Sequence, residues 1–154
     1  YEVILTWEGS SEDDLDLYVQ DSEGRVVSFN NREGGEGSLI SLNHDALGKY
    51  RNNSLQRNKE GKVVGFNEEI VAFRGVTEGE CIVNVHVYRK KDKEPIEATI
   101  LLIKIKPFKQ ITIKKKMFRA TGEEKTAFRF KIDSNGKIIE INELPAILTD
   151  PLAQ

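Results

Sequence analysis

The feature that most constrains the fold of this chain is a period of two in its apolar residues. In the stretches YEVILTW and DLDLYVQ, apolar residues recur at every second position. Because successive side chains of a β-strand point to opposite faces, this spacing predicts half-buried strands. Stretches of the same kind follow along the chain, namely RVVSFN, LISLN, EEIVAFRG, CIVNVHVYRKK, IEATILLIKIK, KQITIKKKMFR, TAFRFKI and KIIEINE.

Turn-forming sequences separate these stretches, among them DSEG, GGEGS, TEGE, KDKEP, TGEE and DSNG. Pro107 interrupts the apolar run TILLIKIKPFKQITI, and because proline cannot donate to a strand ladder, it predicts a break between two strands or an edge position. The pattern predicts an all-β fold: a single antiparallel β-sandwich, immunoglobulin- or jelly-roll-like, with about nine or ten strands.

The chain of 154 residues has the length of one domain. We predict that the sandwich covers residues 1–143 and that residues 144–154 form a C-terminal tail or linker. We expect residues 46–66 to form a long polar loop, and HDALGKYRNNSL is the one candidate for a helical turn. The chain starts at Tyr1 within a predicted strand and without an initiator Met, which we interpret as a processed or trimmed form of a longer protein.

Charge is distributed unevenly along the chain. The first 45 residues carry eleven acidic and two basic residues, a net charge of −9, which leaves +7 for the remainder of a chain with net charge −2. We expect an acidic and a basic face, which meet within the fold or between copies. The basic run KIKPFKQITIKKKMFR is interpreted as a lysine-guarded edge or outer sheet face, and the sequence pI of about 5.8 argues against nucleic acid as a partner.

Several kinds of chemistry lack their sequence signature here. The single cysteine, Cys81, excludes an internal disulfide and a cysteine-based zinc site. There is no phosphate-binding loop, no G-x-S-x-G elbow and no H-E-x-x-H motif. His44 beside Asp45 is not a triad, and His86 is interpreted as a surface or boundary residue. We therefore predict that the chain is not an enzyme. No apolar stretch reaches membrane-spanning length, so we expect no membrane contact by this segment.

Four acidic residues crowd the start of the second predicted strand: Glu12, Asp13, Asp14 and Asp16. In a strand, Asp14 and Asp16 project to one face, opposite the neighbouring leucines. Such carboxylates can hold a divalent cation, can meet a basic surface, or can keep a strand edge soluble. The residues disfavour an EF-hand, because its loop needs a glycine at the sixth position and a polar, coiled backbone, and the alternating leucines fit neither requirement. The other three alternatives remain open on the residues alone.

The segment ILTWEGSSEDDLDLYVQDSEGRVVSF resembles the opening motif L-x-W-(spacer)-D-L-D-L-x-V of the YfaP-like (DUF2135-type) bacterial β-sandwich domains. The later segment NEEIVAFRGVTEGECIVNVHVYRK is also similar to such proteins, and the resemblance covers roughly residues 2–133. It implies a metal-prone acidic cluster, with Ca²⁺ as the cofactor, at one end of the sandwich. By position, Asp14 and Asp16 match the motif aspartates, while Asn43, Asp45 and Glu69 match later elements; GFNE and LNHD depart from the family pattern there.

The sequence thus favours a non-catalytic binding or adaptor domain of a larger envelope-associated or secreted bacterial protein, stiffened by Ca²⁺ at Asp14, Asp16, Asp45 and Glu69. The alternative is a structural subunit of a phage or filament-type assembly. Expected partners are another protein, or a second copy bound through complementary charged faces. A periplasmic or extracellular location is expected for the first function and a virion for the second. A hydrolase using the same-strand carboxylate pair ranks last, because nothing distinguishes an acid from a base there.

Overall fold

The computed structural model describes residues 1–44 and 66–149, and within these ranges it contains ten β-strands and no helix. The predicted all-β fold is confirmed. No helix in the described part has the length and apolar character that a membrane span requires. The strands are β1 (Glu2–Glu8), β2 (Asp14–Gln20), β3 (Val26–Val27), β4 (Ile40–His44), β5 (Phe66–Phe73), β6 (Gly79–Arg89), β7 (Ile96–Lys104), β8 (Lys109–Phe118), β9 (Glu124–Ile132) and β10 (Ile138–Asn142).

The strands form two five-stranded sheets that are consistent with a β-sandwich. The first sheet has the order β4-β5-β1-β7-β8, and the second has the order β10-β9-β6-β2-β3. All neighbouring strands pair antiparallel. β3 contacts β4 at one lateral edge and β8 contacts β9 near the other, so the two sheets cover each other face to face. Two edges therefore differ in sequence: β3 and β4 come from the acidic half, and β8 carries the lysine run.

The core lies between the sheets, and it is formed by the alternating apolar residues. In β1, the side chains of Val3, Leu5 and Trp7 are buried while the intervening residues are partly exposed. In the second sheet, Leu17 of β2 lies opposite Val85 of β6. Both side chains are fully buried and belong to the same core cluster. The period of two in the sequence thus corresponds to the inner and outer faces of each sheet.

The described residues include the predicted break at Pro107, the lysine-rich strand and part of the predicted C-terminal tail. Pro107 lies in the turn that separates β7 from β8, as its position in the apolar run predicted. β8 is an edge strand, in agreement with the interpretation of its lysines. The predicted long loop and the candidate helical turn fall almost entirely on residues 45–65, outside the described residues. Of the predicted C-terminal tail, residues 144–149 are described, and they lie against the second sheet.

Candidate functional site

The predicted metal ligands lie on both sides of strand β2. Asp14 and Asp16 share its outer face, as predicted, and Asp16 is 4% exposed. Glu69 comes from β5 in the first sheet, is fully buried on the core side, and accepts a hydrogen bond from the Leu17 N–H at 2.8 Å. Asp45 lies outside the described residues. In residues 1–44 and 66–149, no three His, Cys, Asp or Glu side chains are arranged to hold a metal ion. The Ca²⁺ site remains a prediction.

Asp13, the neighbour of these residues, forms a buried ion pair. Its Oδ2 lies 2.8 Å from the Lys90 Nζ, and the two side chains are 1% and 5% exposed. The other oxygen, Oδ1, accepts hydrogen bonds from the backbone N–H groups of Lys91 at 2.7 Å and Asp92 at 2.9 Å. One carboxylate of the acidic cluster therefore joins the start of β2 to the turn after β6. Of the three alternatives for the acidic cluster, contact with a basic group therefore applies to Asp13, whose partner is Lys90.

The outer face of the second sheet carries a row of buried polar side chains. Asp16 lies directly opposite His86 on β6, and His86 lies directly opposite Glu124 on β9. Tyr18 and Asn84 form the adjacent cross-strand pair. Asp16, Tyr18, Asn84 and His86 are each less than a tenth exposed, although they face away from the core. A second layer must therefore cover this face.

Part of that layer is the C-terminal segment, defined here as residues 144–149. Side chains of β6 and β9 bind its main chain at both ends and in the middle. The hydrogen bonds are Arg129 Nε to Leu144 O (2.7 Å), Arg129 Nη2 to Pro145 O (2.7 Å), Asn84 Nδ2 to Ala146 O (2.8 Å), Ala146 N to Thr126 Oγ1 (2.9 Å) and Leu148 N to Glu124 Oε2 (2.7 Å). The segment runs antiparallel along β9, from Arg129 to Glu124, and its Leu148 lines an open pocket.

That pocket, the outer pocket, has a volume of about 480 Å³ and lies on the outer face of the second sheet. Four ring-bearing residues and four hydroxyl- or amide-bearing residues form most of its lining: Tyr18, Phe29, His86 and Tyr88, and Ser28, Asn30, Asn31 and Thr121. The C-terminal segment contributes Leu148. The volume falls in the range of about 300–1,000 Å³ that is typical of small-molecule sites. The outer pocket is therefore large enough to hold a ligand.

The floor of the outer pocket is uncharged at neutral pH. Burial lowers the pKa of His86, an effect that the nearby Glu124 carboxylate partly opposes, so the imidazole is neutral. Its Nδ1 is buried and has no hydrogen-bond partner in the described part of the chain. Burial, and then the carboxylates of Asp16 and Glu124, raises the pKa of Tyr18 to about 12. The phenol is accordingly protonated.

The rim of the outer pocket is built from an aromatic pair and two amides. Phe29 and Tyr88 meet edge to face with ring centroids 5.9 Å apart, and the Arg89 guanidinium lies 5.9 Å from the Tyr88 centroid. Half of the Tyr88 side chain remains exposed. The Asn30 Oδ1 accepts a hydrogen bond from the Ser28 hydroxyl, and the Asn31 amide donates to the Val26 carbonyl at 2.9 Å. These contacts hold the rim residues in fixed orientations.

None of the residues that define the outer pocket was identified from the sequence as part of a site. His86 was expected at the surface or at a boundary, yet it is 6% exposed. The available signal was that polar residues alternate with valines on a strand next to D-L-D-L, which indicates a polar outer face and no more. No protein-family model matches this sequence, and neither a curated protein nor a solved structure matches it.

Proposed function

We propose that this chain is a non-catalytic binding domain whose ligand occupies the outer pocket. The observation that carries the proposal is the pocket itself: an aromatic rim above a buried, neutral His86 that has an unpartnered nitrogen among the described residues. A large pocket with a few convergent polar groups is the expected form of a small-molecule site. Its rigid position on a sheet face suits recognition of a ligand.

The chemistry of the lining favours binding over catalysis. A general base needs a reacting group within hydrogen-bond distance, and a nucleophile needs a base beside it. The hydroxyl of Ser28, one of those lining the outer pocket, donates to Asn30 Oδ1 rather than to His86. Burial also keeps His86 neutral and disfavours its charged form. The same groups are well suited to hold a ligand by hydrogen bonds.

A variant in which a large side chain fills the opening of the outer pocket tests this function. We would record amide resonances of the protein with phenol, benzyl alcohol and methyl β-glucopyranoside as uncharged ring probes. At least one probe should cause saturable shifts at Tyr88, His86 and Thr121. Asn30→Trp should abolish them, because Asn30 is an exposed rim residue whose replacement fills the opening. Asn135→Trp, at an exposed turn position, is the matched control. Absence of shifts with all three probes would contradict the proposal.

A structural subunit of an assembly is the second candidate, and the two lateral edges favour it. The edge formed by β3 and β4 is flanked by exposed acidic residues, including Glu33 and Glu36. The opposite edge carries the lysines of β8 beside exposed apolar side chains such as Ile113 and Ile139. Opposite charges on opposite edges would let copies join side by side. A chain that stays monomeric at high concentration and low salt would count against this candidate.

The sequence resemblance alone carries three further proposals: kinship with DUF2135-type domains, a place in a larger envelope-associated or secreted bacterial protein, and stiffening by Ca²⁺. Thermal melts with Ca²⁺, with Mg²⁺ and with EDTA test the last of these on wild type and Asp16→Asn. An ion that binds only the native state adds about 2.7 kcal/mol at a hundredfold excess over its dissociation constant. Superimposable melts would remove Ca²⁺ from the proposal.

A further inference from the structure

The lining of the outer pocket is uncharged in a chain rich in charge. Charged residues make up 31% of the sequence, yet no Asp, Glu, Lys or Arg is among the described residues that line it. A charged ligand would lose its hydration there without gaining a counter-charge, which is costly. Arg89, Asp16 and Glu124 lie nearby, but Arg89 stacks over the ring of Tyr88, Asp16 belongs to the buried row, and Glu124 is bound by Leu148 and Thr149. The pocket is thus suited to a neutral ligand.

The hydrogen-bonding groups of the rim both donate and accept. Because the Asn30 Oδ1 is engaged by Ser28, its NH₂ group is the part left to donate. Because the Asn31 NH₂ group is engaged by Val26, its carbonyl oxygen is the part left to accept. Hydroxyl groups, which donate and accept at once, complement such a pair. An entirely apolar ligand would instead displace water from these amides without replacing its hydrogen bonds.

The aromatic part of the rim offers a rigid apolar surface next to these amides. Tyr88 is half exposed, and its contacts with Phe29 and Arg89 fix the orientation of the ring. A preorganised aromatic side chain loses little conformational entropy when a ligand packs against it. The C–H face of a pyranose ring is apolar, while its edge carries hydroxyl groups. Such a ring can pack on Tyr88 and hydrogen-bond to Asn30 and Asn31 together.

We propose that the outer pocket binds a neutral saccharide ring, stacked on Tyr88 with its hydroxyl groups on Asn30, Asn31 and the pocket floor. This inference rests on the proposed binding function and specifies its ligand class. The pocket volume of about 480 Å³ is larger than the volume of one sugar ring, so it leaves room for a second ring of the same oligosaccharide.

Titration of amide resonances with named probes tests the inference. The neutral probes are methyl glycosides of glucose, galactose, mannose and N-acetylglucosamine; the charged probes are glucuronate and glucosamine; benzyl alcohol is the apolar probe. At least one neutral glycoside should bind more tightly than every charged probe. Tyr88→Ala should raise the dissociation constant of that glycoside by at least about tenfold. Phe108→Ala, which removes an aromatic side chain that is 73% exposed and far from the pocket, should leave its affinity unchanged.

A second variant separates the hydrogen-bonding role from the fold. Asn30→Asp keeps the acceptor for Ser28, removes the NH₂ donor and adds a charge, so it should also weaken the glycoside, whereas Asn135→Asp should not. Saturable binding of benzyl alcohol without any glycoside would overturn the saccharide inference and leave the binding function standing. Tighter binding of a charged probe would overturn it in the same way. If no probe binds, both the saccharide inference and the proposed binding function are overturned.

Discussion

At the scale of single residues, the acidic cluster resolves into side chains with separate environments. Asp13 is paired with Lys90, Asp16 belongs to the outer polar row, and Glu69 binds a backbone N–H of the facing sheet. A buried carboxylate is tolerated when it is paired and its remaining lone pairs are hydrogen-bonded. Asp13 meets both conditions, since two backbone N–H groups bind its second oxygen. Its role is therefore to hold the start of β2.

Lys90→Met should lower the free energy of unfolding by about 3 kcal/mol, because it leaves a buried carboxylate without its cation. Urea denaturation measures the change. Lys115→Met is the matched control, since the Lys115–Glu97 pair is 3.9 Å apart and more than half exposed. It should change stability by less than about 1 kcal/mol. Equal effects of the two substitutions would contradict the assignment of the Asp13–Lys90 pair as a structural ion pair.

His86 should make stability depend on pH. Burial lowers its folded pKa below the ordinary value of 6.5, so the unfolded chain binds more protons just below that pH. This contribution is complete above pH 6.5 and is lost as the pH falls toward the folded pKa, with a slope of at most about 1.4 kcal/mol per pH unit. The difference in unfolding free energy between wild type and His86→Gln should shrink from about pH 7.5 to about pH 5. Parallel pH profiles of the two proteins would contradict this prediction. The titration of the amino terminus is common to both proteins, so it cancels from the difference in unfolding free energy.

At the scale of elements, Glu124 holds the C-terminal segment against the second sheet. The Glu124 carboxylate accepts hydrogen bonds from Leu148 N at 2.7 Å and from the Thr149 hydroxyl at 2.6 Å. Glu124→Ala should increase hydrogen exchange at the Leu148 and Ala146 amides while leaving the amides of β6 protected, because only local opening becomes easier. Glu140→Ala, on β10 and paired with Lys131, is the control. Unchanged exchange at Leu148 would show that Glu124 does not hold the segment.

The elements also show how far the sequence could predict this structure. Strands such as β1 and β6 were predictable because burial of one face imposes a period of two on their residues. The burial of His86 was not, because an outward polar residue normally meets solvent. Residues 144–149, an aperiodic stretch bound through its main chain, lie over its neighbours Asn84 and Glu124. The core-side position of Glu69 was not predictable either. Its carboxylate is accommodated there because it accepts a hydrogen bond from the Leu17 N–H of the facing sheet.

At the scale of the whole molecule, the uneven charge of the sequence becomes a difference between two lateral edges. β3 and β4, from the acidic half, lie at one edge, and β8 lies at the other. The candidate site could not be read from the sequence because its lining comes from separate segments around residues 18, 26–31, 86–88 and 121–122. Sequence periodicity assigns residues to faces, but it does not say which segments meet above a face. That information required the tertiary structure.

The basic edge should protect the molecule from pairing with itself. Lys114 and Lys116 share a face of β8 with the buried Phe118, and their Nζ atoms lie 3.2 Å and 2.7 Å from the Glu143 carboxylate. Inward-pointing charges on an edge strand are a known means of preventing edge-to-edge association. We expect wild type to sediment as a monomer at low salt over a wide concentration range. Self-association of wild type that salt reverses would instead favour the structural subunit.

Removing these charges gives the sharper form of the experiment. Lys114→Val combined with Lys116→Val leaves Glu143 without either lysine and extends the apolar face of Phe118 along β8. This variant should associate with rising concentration in sedimentation velocity. Lys106→Val combined with Lys109→Val removes the same charge from exposed positions at the start of β8 and in the turn before it. If that control associates equally, net charge rather than the inward lysines keeps the molecules apart, and β8 has no special role at the edge.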